Sequence, residues 1–220
     1  MSRAPRPRWL VAVEASSLVA SAGLWLAVFA GHAALALGSP GGALLGLGAG
    51  VAAADLASGV VHWLCDCFGD ERTPVVGPLV IAPFREHHRD PASILEHGVV
   101  ELCGTNALVV LPVLAAAPAL LGAAEGAPGS FLWGLLAAGT AFGAATNAIH
   151  ALAHGGHRPA PVRWLQRAGL LLPPRHHALH HRAGHDRAFC ITTGWCNRVL
   201  DPFDAFGRAA RAVRGFGRVV

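Results

Sequence analysis

The sequence predicts an all-α integral membrane protein with about four transmembrane helices. Apolar residues make up 53% of its 220 residues and charged residues only 14%, against the roughly 25% charged residues of a typical globular protein. Four apolar stretches each approach the roughly 20 residues that a bilayer core requires. They run over about residues 9–37, 43–64, 107–124 and 131–150.

The first two predicted spans and the segments outside the spans differ in composition. The first carries Glu14 and is longer than a bilayer needs, so we expect its start to lie in the membrane interface. The second is rich in glycine and alanine, which lets helices approach closely in lipid. Prolines make the segment before Phe84 irregular, and Trp164 lies in a short amphipathic helix that we expect at the interface. The predicted organisation is a basic N-terminal segment (1–8), a membrane domain (9–205) and an Arg-rich tail (206–220).

The positions of the positively charged side chains predict how the protein is oriented in the membrane. All 17 are arginine, and with four spans every one falls before the first span, between spans two and three, or after span four. The positive-inside rule makes that side cytoplasmic, so we expect both termini in the cytoplasm and the protein in a bacterial inner membrane. No basic helix interleaved with aromatics is present, which argues against a nucleic-acid partner. The five cysteines form no Cys-x-x-Cys pair and predict reduced, structural thiols.

Histidines recur at helical spacing beside the ends of the predicted spans. His150 and His154 are four residues apart and share one helix face, and His62 and Asp66 repeat this spacing. Imidazole is the commonest metal ligand among side chains, so the recurrence predicts a metal centre. The expected ligands are His62, Asp66, His87, His88, His150, His154, His177, His180 and His181.

Two pairs of adjacent histidines indicate how the ligands are shared. Neighbouring helical residues project about 100° apart, so His87-His88 and His180-His181 are better placed to straddle two ions than to bind one. Two ions would take about four or five ligands each and leave open positions for oxygen species. Zinc usually takes four ligands and does no redox chemistry, so a nitrogen-rich site without thiolates fits iron better. The sequence therefore predicts a cytoplasmic, histidine-rich cap that holds two metal ions.

Two other interpretations of these residues stay open. A pH sensor could also be built from histidines, although it would not need repeated helical spacing. Asp66 could merely cap the second span.

Ligating imidazoles usually donate their second N–H to a nearby acceptor. Candidates for this role or for substrate contact are Arg85, Glu86, Arg89, Asp90, His97, Glu101, Asn106, His185 and Asp186, while Asp201 is expected to be a solvated tail charge.

Two long and specific strings of the sequence, together with two others, can be compared with known families. They are Asp55-Leu-Ala-Ser-Gly-Val-Val-His62-Trp-Leu-Cys-Asp66, Pro83-Phe-Arg-Glu-His-His-Arg-Asp-Pro91, Thr146-Asn-Ala-Ile-His150 and Phe189-Cys-Ile-Thr-Thr-Gly-Trp-Cys-Asn197. Together they resemble the Kua/TMEM189 family of plasmanylethanolamine desaturases, over about residues 50–205. The chain departs from that family at 101–106 and 184–186, which affects substrate detail rather than the matched ligands.

The resemblance implies an O₂-dependent di-iron membrane lipid desaturase that converts the alkyl ether of plasmanylethanolamine to the vinyl ether of a plasmalogen. It further implies two iron ions, O₂ as co-substrate, a membrane phospholipid substrate and an external electron donor such as cytochrome b5 or ferredoxin. Arg85, Arg89 and Arg175 are candidates for contact with the headgroup phosphate. A plant branch of the family desaturates an acyl chain of phosphatidylglycerol, so the family does not fix the substrate.

Three rival functions share parts of this pattern. A fatty-acyl phospholipid desaturase or a lipid hydroxylase would use the same centre, because hydroxylation and desaturation begin with the same hydrogen abstraction. A non-enzymatic membrane metal or redox sensor would bind metal without changing any lipid. A membrane zinc hydrolase would bind zinc and work without oxygen.

Overall fold

Helices form the regular structure of the part of the chain that is described. The structure, a computed structural model, describes residues 6–74, 76–155, 158–182 and 185–216, without the side chains of 78, 79 and 214–216. Its helices are α1 (Arg8–Gly31), α2 (Ala33–Gly38), α3 (Pro40–Cys67), α4 (Ala82–Arg89), α5 (Val99–Gly122), α6 (Gly126–His154), α7 (Ala160–Arg167), α8 (Pro174–His177), α9 (Asn197–Leu200) and α10 (Ala205–Phe216). A π-helical turn (Gly77–Ile81) and two 3-10 turns (Ser93–Glu96 and Asp201–Phe203) complete the list.

Four of these helices confirm the predicted membrane class. Within the described residues, α1, α3, α5 and α6 are the helices long and apolar enough to cross a membrane. At 1.5 Å per residue, even the 24-residue α1 and α5 span about 36 Å, more than the roughly 30 Å of a bilayer core. The protein is therefore an all-α integral membrane protein.

The helix bounds differ most from the hydropathy pattern at His32 and at the start of α5. The first predicted span divides at His32, whose ring Nδ1–H donates to the Val28 carbonyl at 2.8 Å. The backbone leaves helical geometry there, and α2 follows as a separate short helix. α5 begins at Val99, eight residues before the predicted span. Its polar first turns are helical because intrahelical hydrogen bonds form whether or not the side chains are apolar.

The chain divides into two compact units, Met1–Ala54 with His97–Ala148 and Asp55–Glu96 with Ile149–Val220. Residues 1–5 of the predicted N-terminal segment and 217–220 of the predicted tail lie outside the described residues. In the first unit, α1 packs on α5 through small and hydroxylated residues. Ser17 donates to the Gly104 carbonyl at 2.7 Å, and a side chain at Gly104 would collide with Glu14. Small residues at such contacts let membrane helices approach closely.

A buried carboxylate on α1 strengthens this contact. The Glu14 side chain is almost fully buried, and its Oε1 accepts from Arg6 at 2.6 Å and from Thr105 at 3.2 Å. Arg6 also pairs with Glu101 at 3.2 Å, and Glu101 with His97 at 3.1 Å. Ionisable groups in membrane spans are costly unless paired in this way. The polar residues at this end of α1 and α5 therefore form an ion-paired cluster.

Replacing Glu14 by Gln should weaken the packing of α1 on α5. The substitution keeps the size of the side chain but removes the charge that holds Arg6, and we expect a loss of about 1–3 kcal/mol in the free energy of unfolding. Thermal unfolding in detergent, followed by tryptophan fluorescence, measures the change. Arg8→Gln is the matched control because Arg8 is exposed. Equal melting temperatures for the two variants would contradict a stabilising role of the cluster.

Candidate metal centre

Four segments of the second unit bring together nine side chains that could bind metal. Each segment presents its ligands near the end of a helix, where the chain turns away. α3 supplies His62 and Asp66, α4 supplies His87 and His88, α6 supplies His150 and His154, and α8 with the following turn supplies His177, His180 and His181. Prolines at the first or second position of α4 and α8 favour the starts of these two short helices.

Five of the histidines point their Nε2 atoms at one another. We call His87, His150, His154, His177 and His181 the five-histidine group. His150 Nε2 lies 2.8 Å from that of His177 and 3.3 Å from that of His154. His181 Nε2 lies 3.0 Å from that of His177 and 3.1 Å from that of His87. Nitrogens about 2.1 Å from one shared ion lie about 3.0–3.4 Å apart, so these distances suit common ligation.

Hydrogen bonding alone does not explain these contacts. A ring nitrogen of a neutral imidazole carries either one N–H or one lone pair in the ring plane. The four short contacts link the five Nε2 atoms in a chain, so at most two of them can be hydrogen bonds at once. Lone pairs directed at one cation would satisfy all five nitrogens. The five-histidine group therefore has the donor set and spacing of a metal site.

The other four ligands form a second group of different composition. We call His62, Asp66, His88 and His180 the mixed group. His88 Nε2 lies 2.9 Å from His180 Nε2 and 3.4 Å from His62 Nε2. Asp66 Oδ2 lies 3.4 Å from His62 Nε2 and 3.5 Å from His180 Nε2. Three imidazoles and one carboxylate could hold a second ion.

Each adjacent histidine pair is divided between the two groups. His87 belongs to the five-histidine group and His88 to the mixed group, and His181 and His180 divide in the same way. For His87 and His88 on α4, this division follows from the angle of about 100° between neighbouring helical side chains, whereas His180 and His181 lie in the turn after α8. Adjacent pairs on α4 and after α8 thus bring the two groups side by side.

Burial keeps the imidazoles neutral. It lowers the pKa of His87 to about 2, with the neighbouring imidazoles lowering it further. Burial likewise lowers the pKa of His88 and of His181 to about 3, and that of His177 well below its ordinary value. At neutral pH these rings are uncharged, which leaves a nitrogen lone pair available to a metal ion.

The Asp66 carboxylate supports the same conclusion. Both of its oxygens are buried, and neither has a hydrogen-bond partner among the described residues. A buried carboxylate without a partner is costly, and a cation would remove that cost. The interpretation of Asp66 as only a helix cap does not account for its place among three imidazoles. Iron or zinc would both accept this nitrogen-rich donor set, which therefore fits a bound transition metal.

Backbone carbonyls orient two rings of the mixed group. His62 Nδ1–H donates to the Phe189 carbonyl at 3.1 Å, and His180 Nδ1–H donates to the Arg187 carbonyl at 2.8 Å. A proton on Nδ1 leaves the lone pair on Nε2, the atom that faces the other ligands. Side-chain carboxylates are the acceptors expected from the sequence, whereas for these two rings the acceptors are main-chain oxygens.

The predicted carboxylates beside the histidines lie elsewhere. Glu86 is exposed, and Asp90 accepts the backbone N–H of Ala92 within a turn. Asp186 is exposed and pairs with Arg187 at 3.2 Å. None of these contacts reaches a ligating ring. For Glu86, helical periodicity explains this result, because a residue next to a buried histidine on a helix projects toward another face.

Two predicted arginines make structural contacts instead. Arg85 donates to the carbonyls of Cys65 at 3.3 Å and Gly69 at 3.0 Å, and so satisfies acceptors at the end of α3. Arg89 pairs with the Glu71 carboxylate at 3.2 Å. These contacts use the guanidinium groups that the sequence analysis assigned to a headgroup phosphate.

The remaining residues that were predicted to contact the ligand rings or the substrate lie in two different places. His185 stacks on His88 with ring centroids 4.4 Å apart, which places it directly beside the mixed group. His97, Glu101 and Asn106 belong to the first unit, where His97 and Glu101 join the ion-paired cluster described above. Asn106 has a buried Nδ2 with no partner among the described residues.

Sequence patterns assign no role to one buried residue near the centre. Asp55 is fully buried in α3, and its carboxylate accepts several hydrogen bonds from residues 192–196. A charged residue inside an apolar span is itself a signal of function. Asp201 also differs from expectation, because it accepts the backbone N–H of Ala188 at 3.2 Å instead of being only a solvated charge.

Comparison with known proteins gives one domain family and several relatives. The lipid desaturase domain matches residues 51–219. A plasmanylethanolamine desaturase of Myxococcus xanthus is 42% identical over 164 residues, covering 74% of this chain and 58% of that protein. Plasmanylethanolamine desaturase 1 of Mus musculus is 39% identical over 176 residues, covering 78% and 65%. Fatty acid desaturase 4, chloroplastic, of Arabidopsis thaliana is 37% identical over 165 residues, covering 72% and 47%. No solved structure gives a significant match.

The metal-free chain should lose stability as the pH falls below about 6.5. An unfolded histidine titrates near 6.5, while the folded pKa values of His87, His88 and His181 are about 2–3. Between these values the unfolded chain binds protons that the folded chain does not, so the free energy of unfolding falls with pH. Melting temperatures of chelator-treated protein from pH 7.5 to 5 measure this loss.

A variant of one ligand serves as the matched comparison. His87→Gln removes one titrating group, so its stability should fall less steeply by up to about 1.4 kcal/mol per pH unit. A melting temperature of the metal-free parent chain that does not change across this pH range would contradict the burial of neutral rings.

Proposed function

The chain belongs to the lipid desaturase family, and we propose that it is an O₂-dependent membrane lipid desaturase with two iron ions. It spans 58% and 65% of the length of the two plasmanylethanolamine desaturases that it matches. The observation that carries the proposal is the pair of adjoining ligand groups, five histidines beside three histidines and an aspartate. A single-metal site would not need nine converging ligand atoms.

Each ligand group would hold one ion. The five-histidine group supplies only nitrogen donors, and the mixed group adds the carboxylate of Asp66. When bound, the two irons would supply the activation of O₂ and the electron transfer that lipid desaturation requires. The absence of thiolates from both groups favours iron over structural zinc.

The residues of the chain prepare this centre. Backbone carbonyls hold the Nδ1–H groups of His62 and His180, so that their Nε2 lone pairs face inward. His62, His177 and His180 are almost fully buried, which excludes water from their ring nitrogens. Exclusion of water limits side reactions of the oxidant with solvent. Because the rings are ligands, no side chain is needed as a general base.

The proposed substrate is the alkyl ether chain of plasmanylethanolamine, which becomes the vinyl ether of a plasmalogen. The reaction removes two hydrogens from adjacent carbons, and with O₂, two electrons and two protons it leaves two waters. Two relatives with this activity in their names are 42% and 39% identical to the chain. A relative named as a fatty acid desaturase is 37% identical, so an acyl chain of a phospholipid is the second candidate substrate.

The distribution of arginines supports a cytoplasmic position for the metal centre. All 17 lie on the segments that four spans would place on one side of the membrane, and the positive-inside rule assigns that side to the cytoplasm. We therefore propose cytoplasmic termini in a bacterial inner membrane. An electron-transfer protein such as cytochrome b5 or a ferredoxin would then reach the centre from the cytoplasm. Arg175, one of the three arginines proposed to contact the headgroup phosphate of the lipid substrate, is exposed.

Removal of one ligand from each group should remove one ion at a time. We expect about two irons per chain for the unaltered protein and about one for either His154→Ala or His62→Ala, because each substitution breaks only one group. Metal analysis after anaerobic reconstitution measures this ratio. His32→Ala is the control, since His32 lies on the first unit and outside both groups. A ratio of one iron in the unaltered chain would contradict the two-iron centre.

Expression in a host that contains alkyl ether lipids should produce lipids two hydrogens lighter and labile to acid. The same host should show no such lipids with His181→Ala, which removes a histidine of the five-histidine group. Mass spectrometry of extracted lipids separates the candidate reactions by mass and by chain.

Each alternative has its own outcome in this experiment. Loss of two hydrogens from an acyl chain would overturn the ether substrate but keep the desaturase, and a gain of oxygen would identify a hydroxylase. No lipid change, with iron and an electron donor present, would favour a metal or redox sensor. Activity that persists without oxygen in a zinc-loaded protein would identify a hydrolase.

A further inference from the structure

We propose that Asp55 is a positioning residue for the mixed group, acting through residues 187–197. We call this segment the carbonyl loop because two of its main-chain oxygens accept hydrogen bonds from ligating histidines. The inference rests on the proposed two-metal function. Asp55 touches neither ligand group through a described hydrogen bond, so it would act on the metal only by fixing the loop.

The Asp55 carboxylate is the main anchor of the carbonyl loop. Its Oδ1 accepts the backbone N–H groups of Thr192 at 3.2 Å, Thr193 at 2.8 Å and Gly194 at 2.9 Å, as well as the Thr192 hydroxyl at 2.7 Å. Its Oδ2 accepts the backbone N–H of Cys196 at 2.9 Å. The side chain is fully buried. Five hydrogen bonds to an ionised acceptor are stronger than the same bonds to a neutral one.

One face of α3 carries both the anchor and the ligands. Asp55, Ser58, His62 and Asp66 recur at spacings of three and four residues, which places them in one stripe along the helix. Ser58 Oγ accepts the backbone N–H of Ile191 at 3.0 Å, one turn nearer to His62. The carbonyl loop therefore lies along this stripe.

The anchored loop places two of its carbonyl oxygens beside rings of the mixed group. Phe189 and Arg187 present their oxygens to the Nδ1–H groups of His62 and His180 at 3.1 and 2.8 Å. These two hydrogen bonds fix the tautomer and the plane of both rings. If a carbonyl shifted away from either ring, the Nδ1 proton would lose its acceptor and could move to Nε2. A proton on Nε2 occupies the lone pair that would bind the metal ion.

The loop needs external anchors because its backbone is strained between the two carbonyls. Ala188 has φ +58°, a left-handed conformation that alanine rarely adopts, and it is fully buried. Its N–H is held by Asp201 at 3.2 Å. At Gly59, an added side chain would collide with Cys190, so α3 and the loop are in direct contact. Loss of an anchor would let the segment relax toward ordinary geometry.

The effect should be confined to the mixed group. In the five-histidine group, the Nδ1 atoms of His87, His177 and His181 are buried with no hydrogen-bond partner among the described residues. The carbonyl loop therefore orients rings of the mixed group and none of these three. Weakening the loop should selectively lower metal affinity at His62, Asp66, His88 and His180.

Asp55→Asn in the full-length chain tests this assignment. The amide is nearly the same size, but it removes the charge and turns an N–H donor toward the donors of the loop. Reconstituted anaerobically with ⁵⁷Fe(II), the variant should bind iron at the mixed group about 10–100-fold more weakly than the unaltered chain. Its Mössbauer spectrum at limiting iron should match that of His62→Ala and differ from that of His154→Ala.

Two control variants separate positioning from general destabilisation. Asp204→Asn removes an exposed carboxylate that pairs with Arg211, and it should keep both ions. Phe29→Ala opens a cavity in the core of the first unit and should lower the melting temperature without a selective loss of the mixed-group signal. If Asp55→Asn does not accumulate, Thr192→Val replaces it, because it removes one of the five hydrogen bonds and should weaken the same site less.

The outcomes distinguish this inference from the proposed function. Two irons with an unchanged spectrum in Asp55→Asn, or in Thr192→Val where the first variant does not fold, would overturn the positioning role alone. Equal loss of both ions from Asp55→Asn would make Asp55 a general structural residue and also overturn it. An unaltered chain that binds no iron would overturn the two-metal function itself, and this inference with it.

Discussion

The convergence of nine ligand atoms in a buried region is the constraint on which the second unit depends. The Nε2 atoms of the five-histidine group face one another at 2.8–3.3 Å, and both Asp66 oxygens are buried without a hydrogen-bond donor among the described residues. Such groups are costly to bury unless a partner satisfies them. Cations at the two groups would provide that partner for segments from α3, α4, α6 and α8 at once. Metal loading and folding of this unit are therefore expected to be coupled.

The two ligand groups differ both in their donors and in what holds them. The five-histidine group is all nitrogen, whereas the mixed group contains a carboxylate. Rings of the mixed group are tied to main-chain carbonyls, which in turn depend on Asp55 and Asp201. Contacts outside the ligands tune a metal's affinity and potential as well as its position. Two ions held in this way would be chemically inequivalent, even though adjacent histidines from the same segments serve both.

The ligand set does not decide the lipid. Relatives named as plasmanylethanolamine desaturases and as fatty acid desaturases resemble the chain to similar extents, 42%, 39% and 37%. In the proposed desaturase the same centre would remove hydrogen from either kind of chain, so the choice of substrate would depend on the surfaces that place the lipid. The arginines nearest the ligands do not identify the lipid substrate, because Arg85 caps α3 and Arg89 pairs with Glu71.

The amino-acid sequence by itself determined the membrane class, and it predicted the side chains that the structure brings together in the two groups. Hydropathy is additive along the chain, so four spans were visible without any tertiary contact. Spacing of four residues fixes a shared helix face, and adjacency fixes an angle of about 100°, so the pairing of His150 with His154 and the division of His87 from His88 were local properties.

Only the tertiary structure decided which acceptors orient the rings and which polar residues serve the scaffold. The carbonyls of Arg187 and Phe189 lie 7 and 127 residues from the histidines that they bind, and main-chain oxygens carry no sequence signature. No partner of Asp55 could be identified from the sequence, because its five donors lie more than 130 residues away along the chain. Periodicity reports which side chains share a face of one helix. It does not report the loop that packs against that face. For this reason the sequence predicted which side chains come together, whereas the residues that support them became visible only in the tertiary structure.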